Sequence, residues 1–184
     1  MRQLFTQTAR RNFTARSHAF LIIVFLGVIV GCKKPQDVAA APPSGEHQSP
    51  TKAQAKLQTL KLFLGPKEIV AELAISPIQV ETGMMHRTEM GENEGMLFVF
   101  AQPHRASFWM RNTKIPLSGA YIDSEGTILE IHDMKPLDET PIPAGTDQVR
   151  YVLEMKQGWF ERNKIGVGTN IRTERGTFQK TFFK

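Results

Sequence analysis

The sequence predicts an α+β fold for residues 57–184: one compact domain dominated by a small antiparallel or mixed sheet, barrel-like in form, with one or two short helices. Three observations predict it. Short runs rich in aliphatic and aromatic residues recur between glycine, proline and aspartate turns, the pattern of strands rather than helices. One segment carries a complete helix-start signal, and helices are otherwise short and few. One run, 149–156, alternates apolar and polar residues with period two.

The elements follow in chain order. Leu57 to Leu64 and Glu68 to Ile75 are aliphatic and flank Gly65-Pro66, which predicts a hairpin. Ser76-Pro77-Ile78-Gln79 supplies a capping hydroxyl, a proline at the first helical position and a glutamine three residues after the cap. The helix so started is expected to reach Met84 or Met85. Met96-Leu97-Phe98-Val99-Phe100 reads as a buried strand. Gly119 to Ile122 and Thr127 to Ile131 flank Asp123-Ser124-Glu125-Gly126, a four-residue turn sequence. Val149, Tyr151, Leu153 and Met155 alternate with Arg150, Val152, Glu154 and Lys156, as in a strand with one face buried. A short helical turn is expected over Gly158 to Asn163. Gly166 and Gly168 then punctuate the start of a strand from Thr169 to Thr173. From Arg172 to Lys184 basic residues alternate with Phe178, Phe182 and Phe183, which reads as a last edge strand guarded by lysines. Contact with a membrane surface is the alternative.

The N-terminal region has a different character. Arg2, Arg10, Arg11 and Arg16 precede an apolar run from Ala19 to Val30, the order of an export signal. That run is shorter than the ~20 residues of a permanent membrane span. Ile29-Val30-Gly31-Cys32 resembles the lipobox of bacterial lipoproteins. The resemblance implies a signal peptide at residues 1–31, lipid on the Cys32 thiol, and Cys32 as the first residue of the mature chain. Arg10-Arg11-Asn12-Phe13 is similar to the core of a twin-arginine signal but departs from it at Thr14 and Ala15, so both export routes stay open. Cys32 is the only cysteine, so the domain carries no internal disulfide, and a lipidated thiol is no nucleophile or metal ligand. Residues 32–56 are rich in Pro, Ala, Ser, Gln and Lys and read as a flexible tether.

Charge follows from the same division. Without Arg2, Arg10, Arg11 and Arg16, the 23 basic residues fall to 19, against 18 acidic ones. The basic balance belongs largely to the signal, and no nucleic-acid partner is expected.

Four segments carry a further resemblance. They are Gly83-Met84-Met85-His86-Arg87, Gly95-Met96-Leu97-Phe98-Val99-Phe100, Phe108-Trp109-Met110-Arg111-Asn112-Thr113-Lys114-Ile115-Pro116-Leu117, and Val152-Leu153-Glu154-Met155 through Gly158 to Gly166-Val167-Gly168. In type, order and spacing they resemble the bacterial and archaeal family called domain of unknown function 192. The resemblance implies a compact α+β domain and no particular activity. Ser118 and Thr169 stand where that family usually has Asp, and His86 where it usually has an aromatic residue.

The densest functional pattern is Phe108 to Thr113. An aromatic platform beside a guanidinium and an amide could hold a sugar or a carboxylate. In this reading Arg87, Arg111 and Asn112 converge on a small acidic envelope ligand beside Trp109, and Glu154 steers its orientation. In the plainer reading Trp109 and Met110 fill core, while Arg111, Asn112 and Thr113 satisfy a turn. Met84, Met85, His86 and Met90 form a minor candidate for Cu(I), to which thioethers and imidazole are suited. The histidines lack zinc spacing, and Gly166-Val167-Gly168 is too short for a phosphate loop. Asp133 beside His132 could orient its ring. No cofactor is expected. The expectation is a non-enzymatic domain of the cell envelope, held on a membrane through Cys32 and binding a small ligand or an envelope protein. In a Gram-negative cell that membrane would be the outer one, on its periplasmic side. The alternative is an envelope enzyme with a site around Arg111, Asn112 and Glu154.

Overall fold

The computed structural model describes residues 49–183. The signal peptide, Cys32 and the tether up to residue 48 lie outside the described residues. Strands β1 (Thr59–Leu64) and β2 (Lys67–Ala74) form the expected hairpin, paired from Leu64↔Lys67 to Thr59↔Glu72. Helix α1 (Pro77–Thr82) starts on the expected capping box: Gln79 N donates to Ser76 Oγ, and Ser76 N donates to Gln79 Oε1 at 2.9 Å. The helix stops at Thr82 instead of running to Met84 or Met85. Gly83 takes φ 45°, and a Cβ there would lie 3.2 Å from the Phe98 ring, so the chain turns away under Phe98. Met84 and Met85 then form part of a turn.

α1 is the crossover to β3 (Glu94–His104), which runs parallel to β2. Five strands follow: β4 (Ser107–Phe108), β5 (Leu117–Ile122), β6 (Ile128–Met134), β7 (Ile142–Pro143) and β8 (Val149–Lys156). The chain ends with α2 (Trp159–Arg162), β9 (Ile171–Thr173) and α3 (Phe178–Phe182). The main sheet has seven strands in the order β6-β5-β8-β3-β2-β1-β9, and β4 pairs only with β7. All the main pairings except β2 with β3 are antiparallel. The sheet curls into a half barrel, so that backbone near β9 reaches β6: Ile128 N donates to Thr169 O at 2.9 Å and Ile171 N to Gly126 O at 2.8 Å. The fold is α+β, as the sequence predicts.

β8 lies at the centre. Its alternation is real: Tyr151, Leu153 and Met155 enter one apolar cluster with Leu60, Leu62, Leu97 and Ile171. Trp159 and Phe160 of α2 and Phe178 of α3 close that cluster. The expectation that the other face meets solvent is not met. Val152 and Glu154 are buried, because the segments around Met84, Ala106, Met110 and Ala144 fold over that face. Gly95 allows β3 to press against β8; a Cβ there would stand 2.6 Å from Met155 Sδ and 2.8 Å from Glu154 O.

Two further expectations are corrected. Residues after Thr173 do not extend the edge strand. Gly176 bends the chain, Thr177 caps α3, and Phe178 packs edge-on against Tyr151 at 4.6 Å. The alternating phenylalanines thus serve one helical face rather than a strand face. The last residues of the expected tether are tied to the domain: Gln54 Nε2 donates to the carbonyls of Gln79 and Gly83, and at the first residue after it Leu57 N donates to Glu72 Oε2 at 2.7 Å. Those bonds supply partners that the low apolar content of the segment does not.

Candidate functional site

The face of β8 that carries Glu154 borders a cavity of about 230 Å³. Since one water occupies about 30 Å³ in the liquid, the space suits several waters or one small organic molecule. β3 contributes Phe98, Phe100 and His104 to its wall, α1 and its turn contribute Val80 to Met85, and the β4 region contributes Ser107, Phe108 and Trp109. Ser49 and Thr113 complete it. The rings pack against one another: Phe98 meets Phe108 edge-on at 4.9 Å, and Phe100 meets His104 at 4.4 Å.

Glu154 stands on β8 opposite Met96 of β3 and Gly119 of β5, so its side chain shares the face of Phe98 and Tyr121. Its residue is 4% exposed, and its Oε2 has no hydrogen-bond partner among the described residues. Burial pushes its pKa up to about 8, because ionisation would place a charge in an apolar surround. At neutral pH this side chain is therefore mostly a neutral acid, able to donate one hydrogen bond and accept others. An unpaired buried carboxyl costs roughly 1–3 kcal/mol, so its presence asks for a reason beyond packing.

The structure divides the sequence-derived candidates. Glu154 and Trp109 share the cavity. Trp109 is 43% exposed and stands at the rim, whereas its neighbour Met110 is buried; the plainer reading, with both in the core, holds for Met110 alone. Arg111 lies outside the wall, its guanidinium 5.5 Å from the Trp109 ring centroid. Asn112 adopts φ 55°, a conformation Asn tolerates, and its carbonyl accepts from His86 N at 2.8 Å. Asn112 thus shapes the turn. Arg87 lines a second cavity with Lys56, Glu89 and Glu94, and its guanidinium grips Glu72 with two bonds of 3.2 and 2.9 Å. Both partners are about 15% exposed, so Arg87 is committed to Glu72. The expected convergence of Arg87, Arg111 and Asn112 on one acidic ligand is not what the fold builds.

Other candidates are placed as clearly. His86 Nε2 bonds to Pro50 O at 2.8 Å, while Met84 and Met85 are 6% exposed. Both methionines wall the cavity over Glu154, and Met84 also lines the second cavity together with His86 and Met90. The ring of His132 is oriented by Glu130, with Nε2 to Oε2 at 2.9 Å, instead of by Asp133. Asp133 accepts from Ser118 Oγ at 2.5 Å across the β5–β6 pair, and Ser118 Oγ accepts from Gly158 N. An acid thus reaches the Ser118 position from the adjacent strand. Sequence reasoning missed Phe98, Phe100 and His104, whereas Phe108 opens the run it singled out. The available signal was period two along β3, which sets Met96, Phe98 and Phe100 on one face.

This fold and site define a class: a small α+β half-barrel domain with a loop-covered, aromatic-walled cavity over one buried acid. The profile of the DUF192 family, described as an uncharacterized ACR, matches residues 61–173, and the chain belongs to that family. A solved structure from Sinorhizobium meliloti 1021, described as a candidate transcription regulator, is 32% identical with a TM-score of 0.63, over 66% of this chain and 98% of its own. A protein of unknown function from Novosphingobium aromaticivorans DSM 12444 is 36% identical with a TM-score of 0.59, over 63% of this chain and 86% of its own. No curated protein matches the sequence.

Proposed function

We propose that this protein is a lipid-anchored component of the cell envelope whose domain binds a small organic molecule in the cavity over Glu154. One observation carries the binding reading: a buried carboxyl whose Oε2 has no hydrogen-bond partner among the described residues borders a cavity walled by aromatic and thioether side chains. Apolar walls with few polar groups are the usual make-up of a small-molecule site. The anchoring rests on the basic segment, the short apolar run and the Ile29-Val30-Gly31-Cys32 motif.

The enzymatic alternative draws its support from Glu154. A carboxyl held at about 8 can exchange a proton near neutrality, and His104 lines the same cavity. However, no hydroxyl is hydrogen-bonded to either group among the described residues. Arg111 and Asn112 also stand apart from that cavity, so binding is the better supported function. Recognition of nucleic acid, as the description of the Sinorhizobium relative would suggest, asks for a basic surface. The near balance of charge beyond the signal supports a different partner.

Two experiments test the proposal. Cells labelled with radioactive palmitate should yield a labelled, membrane-bound protein, and Cys32→Ser should lose both properties; label that survives the substitution contradicts the anchor. For the cavity, ligand-observed NMR with small aromatic fragments should show binding to the mature protein extracted in mild detergent. Val80→Trp, which fills the space, should abolish it. Fragment binding that persists in Val80→Trp would place the site elsewhere.

A further inference from the structure

We infer that the cavity over Glu154 takes an organic ammonium ion, a cation carried on small apolar substituents; this deepens the ligand-binding reading above and rests on it. The charged groups in the wall point one way. Glu81 and Glu154 line the cavity, and no Lys or Arg among the described residues does. An acidic ligand would meet the buried Glu154 carboxyl, which has no ion-pair partner among the described residues. The nearby guanidinium of Arg87 is held by Glu72, and that of Arg111 lies over Trp109. The Glu154 side chain lines the cavity, and its Oε2 has no hydrogen-bond donor among the described residues.

The walls suit the same chemistry. Phe98, Phe100, Phe108 and Trp109 surround the space with rings. The negative faces of such rings attract cations, and alkylammonium groups in particular replace their weak hydration with aromatic contact. The Trp109 ring already attracts one cation, the Arg111 guanidinium. A metal ion would lose its water here without gaining enough oxygen or nitrogen ligands, whereas an ammonium with methyl or methylene substituents matches an apolar wall around a single acid. Pairing with a cation also offsets the cost of ionising a buried carboxyl. A ligand of this kind should accordingly displace a proton from Glu154. The titratable groups close to that event are Glu81 on α1, His104 at the end of β3, and Tyr121 on β5 with Glu130 beyond it. Burial pushes the Tyr121 hydroxyl well above its ordinary range, so it stays neutral throughout.

Calorimetric titration of the mature, detergent-extracted protein with choline and with its uncharged carbon isostere, dimethylbutanol, tests this. The two probes share size and shape and differ in charge. Choline should bind about tenfold more tightly than the isostere at pH 8. Its binding should strengthen from pH 6 to pH 8, with proton release detectable from the dependence of the heat on buffer. Glu154→Gln should erase the preference while dimethylbutanol still binds, which shows that the cavity persists. Equal affinity for the two probes overturns the ammonium inference and leaves the ligand-binding reading standing. Binding of neither probe, with fragments also failing, overturns both.

Discussion

The two faces of β8 use the same strand for opposite ends. On one face Tyr151, Leu153 and Met155 sit in a closed apolar cluster sealed by Trp159, Phe160 and Phe178. On the other, Val152 supports a second cluster, but Glu154 borders a cavity and its Oε2 has no hydrogen-bond partner among the described residues. The first face stabilises the fold. The second sets a buried acid at the wall of the cavity. In the proposed function, a strand buried on both faces separates stability from recognition by alternation, residue by residue.

Substitutions can break that division. The largest effect belongs to the sealed face. Trp159→Ala should cost about 4 kcal/mol, from lost packing and from the Nε1 bond to Asn93 at 3.1 Å, as read by urea denaturation. Ligand affinity measured on the remaining folded protein should stay near that of the parent.

Glu154→Gln should do the reverse. Burial holds the folded-state pKa near 8 against an ordinary value of 4.5, so the folded protein retains its proton more tightly than the unfolded chain. The resulting stability is fully present below pH 4.5 and is lost as pH rises through about 8. Denaturation at pH 5 and pH 9 should show the parent weakening by on the order of a few kcal/mol, with Glu154→Gln largely removing that loss. An equal slope in both proteins would remove Glu154 from the account.

Arg87→Ala should cost about 2 kcal/mol by leaving Glu72 partly buried beside Leu57 N without its cation. Because Arg87 holds the second cavity, ligand binding over Glu154 should change little. The smallest stability effect is expected for Trp109→Ala, within about 0.5 kcal/mol, since the ring is exposed at the rim. Its affinity for a cavity ligand should nevertheless fall severalfold, the clearest separation of binding from folding among these variants.

Local chemistry was legible in the sequence. The capping box at Ser76, the Gly65-Pro66 turn and the Asp123 turn depend on side chains and backbone a few residues apart. The alternation in β8 was legible for the same reason. What covers its second face was not, because that depends on segments distant in sequence folding over Val152 and Glu154. The partnership of Arg87 with Glu72 joins neighbouring parts of the fold that no spacing rule pairs. Trp109 and Met110 show the limit at its narrowest: adjacent residues take opposite fates because the turn through Asn112 sends one to the rim and the other inward. Phe98 and Phe100 were hidden as site residues because an aromatic facing a cavity and one facing a filled core read alike. The terminal phenylalanines misled in another way. Gly176 and the Thr177 cap start a helix whose turn carries Phe178 and Phe182 to the same side.

The central claim is that Glu154 is a buried acid without a partner among the described residues, set at the wall of the proposed ligand cavity. Carbon-13 NMR of glutamate side-chain carboxyls across pH measures it directly. The account predicts one resonance that titrates near pH 8, disappears in Glu154→Gln, and shifts to lower pH when choline is added. If every glutamate carboxyl titrates in the ordinary range near pH 4.5, and none responds to the cation, the claim is contradicted.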